Sequence, residues 1–145
     1  MIKFLESTQV QSFLREENFI LAYKRLQTAG RCLYKDLYKQ DMKIFGSNLE
    51  LNVKCLVNDL RNGLYAPSQS LRYYAPKKSG MVRPMTVMNF LDLLVYQALV
   101  NIIAEKTVGE FKPYYNKIVY GNILNEIDEK SSKFFYKQWK KQWKK

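Results

Sequence analysis

The chain has no histidine at any of its 145 positions. That removes the commonest general base near neutral pH, and with it His-centred triads and imidazole metal sites. Cysteine is scarce too: Cys32 and Cys55 are far apart and form no CxxC spacing. Two buried, reduced thiols in a cytoplasmic protein are the expectation from that pattern. No apolar run approaches the ~20 residues of a membrane span. The start, Met1-Ile2-Lys3-Phe4-Leu5-Glu6, holds no long apolar run either, so neither a signal peptide nor a membrane partner is expected. The most telling absence is acid. From Arg61 to Leu91 there is no Asp or Glu, while Arg61, Arg72, Lys77, Lys78 and Arg83 all fall inside that window. A patch of one sign suits a polyanion, either a triphosphate or a nucleic-acid backbone.

What is present can build a core. The chain is 47% hydrophobic, enough to exclude a disordered chain. Its net charge of +11 comes from 24 basic and 13 acidic residues. Six of the lysines (Lys133, Lys137, Lys140, Lys141, Lys144 and Lys145) crowd the last stretch, so the rest of the chain is only mildly basic. The charge is local, in a central segment and in a tail.

The patterning predicts an α+β fold that is mostly helical, with one antiparallel hairpin followed by a buried helix. A first helix is expected from Ser7 or Thr8 to about Ala29, stopped by Gly30, with Val10, Phe13, Leu14, Ile20, Leu21 and Leu26 toward the core. A weaker one spans Arg31 to Phe45, with Leu33, Leu37, Tyr38 and Ile44 as its apolar side. A third runs from Leu49 to Asn62, packing Val53, Leu56, Val57 and Leu60, and Gly63 ends it. Leu71 to Ala75 and Val82 to Val87 read as strands around the turn Lys77-Lys78-Ser79-Gly80. Pro84 puts the return strand at a sheet edge. Asn89 caps the next helix, with Asp92 completing a capping-box pattern. Its expected apolar face is Phe90, Leu91, Leu94, Val95, Ala98, Leu99, Ile102 and Ile103. Residues 111–122 read as irregular, and 123–145 as helical, with a weak point at Lys130-Ser131-Ser132.

Four blocks stand in order along this frame. They are Gly63-Leu64-Tyr65-Ala66-Pro67; Pro76-Lys77-Lys78-Ser79-Gly80-Met81-Val82-Arg83-Pro84; Asp92-Leu93-Leu94-Val95-Tyr96-Gln97-Ala98-Leu99; and Tyr120-Gly121-Asn122. Together they resemble the N-terminal fingers of bacterial reverse transcriptases: group II intron, retron, and abortive-infection or phage-defence enzymes. The resemblance spans roughly Asn18 to Asn122. It implies an RNA-directed DNA polymerase, with RNA template, DNA product and dNTP as partners and a role in antiphage defence. By match to the family's hairpin, Lys77 would contact the outer phosphates of the dNTP. Arg83 would lie near the α-phosphate and stack on the base, which suits a planar guanidinium. Arg72, Lys78 and Tyr74 are the candidate nucleic-acid contacts.

The family's catalytic parts are not matched. Such polymerases hold two Mg²⁺ ions on palm aspartates. Asp36, Asp41, Asp59, Asp92 and Asp128 include no adjacent pair, and none fits a palm motif. The resemblance therefore implies no catalytic residue and no metal ligand in this chain. Mg²⁺, palm and thumb would belong to a longer polypeptide, and the 145 residues alone are expected to be inactive. The expected division is a helical extension over 1–63, fingers hairpin and helix over 64–122, and a basic aromatic helix over 123–145 leading to the palm. Group II enzymes often carry Asp-Arg where this chain has Asp92-Leu93, and Arg where it has Ile123, so the resemblance points to the family more than to any one subfamily.

Each feature also has a plainer reading. Lys77, Lys78 and Arg83 suit a solvated hairpin. Asp92 suits a helix cap, and Gln97 a polar position on the helix surface. Of Tyr73 and Tyr74, strand alternation puts one in the core and the other outside, free to stack on a base. Phe135, Tyr136, Trp139 and Trp143, interleaved with lysines, suit a face for the palm, an RNA-binding helix or a membrane-surface helix. The alternative to an enzyme part is a stand-alone, non-enzymatic basic RNA-binding module.

Overall fold

The computed structural model describes residues 7–28, 37–115, 117–119 and 123. It shows an α+β fold, mostly helical, with one two-stranded antiparallel sheet. The helices are α1 (Thr8–Phe13), α2 (Glu16–Thr28), α3 (Lys39–Gly46), α4 (Leu49–Asn62) and α5 (Phe90–Phe111). Strands β1 (Leu71–Pro76) and β2 (Val82–Val87) lie between α4 and α5. The expected ends at Ala29 and Gly30, Cys32, Leu33, the Tyr120-Gly121-Asn122 block and the helix beyond Ile123 lie outside the described residues.

The expected first helix is two. Ser7 caps α1 through its side chain, which accepts from the Val10 N–H at 3.3 Å. The helix then stops at Leu14. Its freed carbonyls find side-chain donors: Asn18 Nδ2 donates to Phe13 O at 3.0 Å, and Arg61 Nη2 to Leu14 O at 3.2 Å. Satisfying end carbonyls in this way makes a break tolerable, and no local signal in Leu14-Arg15-Glu16 announces it. Arg61 therefore serves the helical body and is not one of the hairpin's free cations.

Helix α2 packs on α4 and α5, and the core forms where they meet. Phe19, Val53, Val57 and Leu94 are fully buried, each worth about 2 kcal/mol of burial. Tyr23, Phe45 and Phe90 make an aromatic cluster with ring centroids 5.4 to 6.4 Å apart. The core draws on both sides of residue 63, joining α2 and α4 to Phe90, Leu94 and Ala98 of α5. Gly63 ends α4 in the left-handed region at φ 68°, a conformation open to glycine at little cost.

Several sequence expectations about burial fail on exposure. Leu91, Leu99 and Ile103 of α5 are exposed, as are Leu37 and Ile44. Helix α5 is apolar on every side, so periodicity marks no unique inner face; the packing of α2 and α4 picks the Phe90–Leu94–Ala98–Asn101 side. Cys55 is a free thiol on the exposed side of α4, not a buried one. Among the described residues no helix is long and apolar enough to cross a membrane.

Candidate nucleic-acid interface

The hairpin is rooted by side chains and free beyond its root. At the root of β1, Asp92 is the organising group. Asn89 caps α5 by accepting from Asp92 N–H at 2.8 Å. The Asp92 carboxylate does not turn back to complete the expected capping box. It accepts instead from the Tyr65 hydroxyl and, at 3.0 Å, from Ser68 N–H. Asn89 Nδ2 adds a bond to Ser68 Oγ at 2.6 Å. The loop before β1 is thereby fastened to the first turn of α5. Burial, then the hydrogen bond to Asp92, then its charge push the Tyr65 phenol above its ordinary range. At the root of β2, Val87 packs on the core and Tyr38 Oη donates to Met88 O at 2.5 Å.

Beyond the root most positions on both faces are exposed, with Ala75 and Met85 half-buried. The register pairs Leu71 with Val87, Tyr73 with Met85 and Ala75 with Arg83 on one face. It pairs Arg72 with Thr86, Tyr74 with Pro84 and Pro76 with Val82 on the other. Tyr73 and Tyr74 are 50% and 54% exposed, so the expectation that one is core is wrong. Among the described residues the two-stranded ribbon has no second layer on it, so alternation selects no inner face. Both strands are edges, which is why Pro84 fits.

The tip is a three-residue loop. Gly80 N–H donates to Lys77 O at 3.1 Å and Lys77 N–H to Met81 O at 2.8 Å, with Gly80 at φ 80°. This is a tight turn closed by a glycine bulge. Strand alternation then sets Lys77 on the face of Arg83 and Tyr73, while Arg72 shares the opposite face with Tyr74. Lys78 stands at the tip itself. A six-residue strand carries the tip about 20 Å from the root. All five candidate residues are exposed. The ribbon thus presents a cation pair with a tyrosine on one side and a cation with a tyrosine on the other. That alternation of charge and aromatic surface can hold phosphate and stack on a base.

A second polar set holds α2 against α5. Asn101 Nδ2 donates to Asn18 Oδ1 at 3.1 Å, and Asn18 Nδ2 to Ala98 O at 3.0 Å. Asn101 Oδ1 accepts from Arg25 Nη1 at 2.6 Å and from Gln97 Nε2 at 3.0 Å. Burial lowers the Arg25 pKa from its ordinary value. Gln97, expected at the surface, is half-buried in this set. These bonds hold the two helices in register, with Asn18 and Asn101 buried and Arg25 and Gln97 half-buried.

A groove of about 370 Å³ between α3, α4 and α5 is lined by Asp41, Ile44, Phe45, Asn52, Asn89, Phe90 and Leu91. It carries a carboxylate and no cation, so it does not suit a polyanion. Sequence reasoning missed Tyr65, Ser68 and Tyr38 as hairpin anchors. Tyr65 stood in a quoted block, but its bond to Asp92 crosses from loop to helix and leaves no periodic trace. No protein-family model matches the sequence, and neither a curated protein nor a solved structure matches it.

Proposed function

We propose that this chain is the fingers part of an RNA-directed DNA polymerase, gripping template and clamping the incoming dNTP, with antiphage defence as its setting. The observation that carries the reading is the exposed hairpin with Lys77 and Arg83 on one face and Arg72 and Tyr74 on the other. Transfer of a nucleotidyl group needs cations that hold the triphosphate while charge moves onto the leaving pyrophosphate. Lys77 would meet the outer phosphates as a compact charge. Arg83 would meet the inner phosphate and base with its planar fork. Arg72 and Tyr74 would then face the template, with Lys78 at the tip between the two.

The reaction itself is not assigned to this chain. Among the described residues no group of three carboxylate or thiol side chains gathers. The ions, with palm and thumb, would lie in the rest of a longer polypeptide. The experiment is made in that polypeptide. Lys77→Ala and Arg83→Ala should each raise the dNTP KM about tenfold or more, the worth of a charge-assisted contact, with the helical circular dichroism unchanged. Wild-type nucleotide kinetics in both variants would sink the assignment.

A second reading rests on the same ribbon. Its cations lie on both faces, and no carboxylate occurs from Arg61 to Leu91. Any single-stranded nucleic acid would meet that surface favourably, so a stand-alone cytoplasmic RNA-binding module is the alternative. It requires binding without any nucleotide chemistry.

A further inference from the structure

Helix α5 is apolar around its circumference, yet one long side is uncovered. Phe90, Leu94, Ala98 and Asn101 face the core. On the opposite side Tyr96, Leu99, Val100 and Ile103 follow at i, i+3, i+4 and i+7, the spacing of a single helical stripe. Tyr96 is 56% exposed, Leu99 45% and Ile103 52%. The first turn of this same side is roofed, because Tyr65 and Ser68 sit on Asp92. The open stripe begins where that roof ends. An apolar stripe at a heptad-like spacing fits a second helix.

We infer that the aromatic segment Phe135–Trp143 of this same chain packs on the Tyr96–Leu99–Ile103 stripe of α5. Its spacing matches: Tyr136, Trp139 and Trp143 fall at i, i+3 and i+7, as Tyr96, Leu99 and Ile103 do. On an ideal helix Phe135, Tyr136, Trp139 and Trp143 share an arc of about 100°. Lys133, Lys137, Lys140, Lys141, Lys144 and Lys145 fall on the remaining arc, where they stay in water. Reach is ample. Ile123, the last described residue before the segment, is 2% exposed. The chain from Ile123 to Phe134 can extend about 35 Å, more than the ~30 Å diameter of a small domain. The tether makes this occupant an intramolecular one, favoured over a free partner by effective concentration.

The test uses the fact that Trp139 and Trp143 are the only tryptophans in the chain, so tryptophan emission reports on this segment alone. In the full chain, emission should be blue-shifted from that of the urea-unfolded chain and acrylamide quenching severalfold weaker, at concentrations where sedimentation gives a monomer. Leu99→Lys with Ile103→Lys should return both to the unfolded-chain values. Leu51→Lys, at another exposed leucine, should change neither. Quenching of the wild-type chain as strong as in urea overturns the proposal. So does a blue shift that appears only as dimers form, which assigns the stripe to a second copy, and so does unchanged emission in the double lysine variant. If that variant does not fold, hydroxyl-radical labelling decides instead. Tyr96 should react severalfold faster in Trp139→Ala/Trp143→Ala than in the wild type, and equal labelling overturns the proposal.

Discussion

The hydroxyl of Tyr65 donates to the carboxylate of Asp92, a group only 8% exposed at the first turn of α5. One bond thus ties the loop before the hairpin to the helix after it. The hairpin is held at its root, and its cations are carried out on the exposed ribbon beyond it.

Tyr65→Phe removes that donor and leaves Asp92 its bond from Ser68 N–H. The expected loss is about 1 kcal/mol in urea denaturation, the net worth of one hydrogen bond. Amide exchange in β1 should quicken along with it. Wild-type exchange and stability would show that the bond does not fasten the hairpin.

The same tyrosine gives a pH dependence. Its folded-state pKa lies above the ordinary value of 10.0, first by burial and then by its bond to Asp92. The folded state keeps a proton that the unfolded chain releases. The Tyr65 contribution is therefore fully present below about pH 10 and lost as pH rises through the raised folded value. Tyr65→Phe should lose less stability than the wild type across that window, followed by denaturation at a series of alkaline pH values. Parallel curves would contradict the assignment.

Asn101→Leu strikes the polar set between α2 and α5. It takes the Oδ1 acceptor from Arg25 and Gln97, and leaves the buried Asn18 Oδ1 without its donor. A cost of about 2 kcal/mol is expected in urea denaturation, mostly the penalty for buried polar groups left unmatched. A loss below half of that would show that water replaces the partners.

Gly80→Val tests the tip. A Cβ there would meet nothing within 4 Å, so the cost is the backbone's alone, at φ 80°. It should be about 1 to 2 kcal/mol, felt in the hairpin's amide exchange, and smaller for Gly80→Asn. Global stability should hold, since the hairpin meets the core only at its root, through Val87.

Much of this fold was legible in the sequence. The Asn89 cap, the stop at Gly63, both strands and the glycine turn follow from local chemistry that a window of a few residues contains. The break after Phe13 was not, because Asn18 and Arg61 satisfy its carbonyls from outside the local helix. The inner face of α5 was not either, since an apolar surface on every side gives periodicity nothing to select. Of the site, the candidate cations were visible as a charge pattern. Their division between two faces needed the register, and the role of Tyr65 needed the loop's path back to Asp92.

The most direct test of the hairpin as a polyanion grip is the salt dependence of binding to single-stranded RNA, measured on the full chain by fluorescence anisotropy. Wild-type affinity should fall steeply with salt. In Arg72→Ala/Lys78→Ala the log–log slope should be shallower by about 1.4, as expected for two lost phosphate contacts on a single strand. The same slope in wild type and double variant would mean that these cations touch no phosphate, and the hairpin reading would fall.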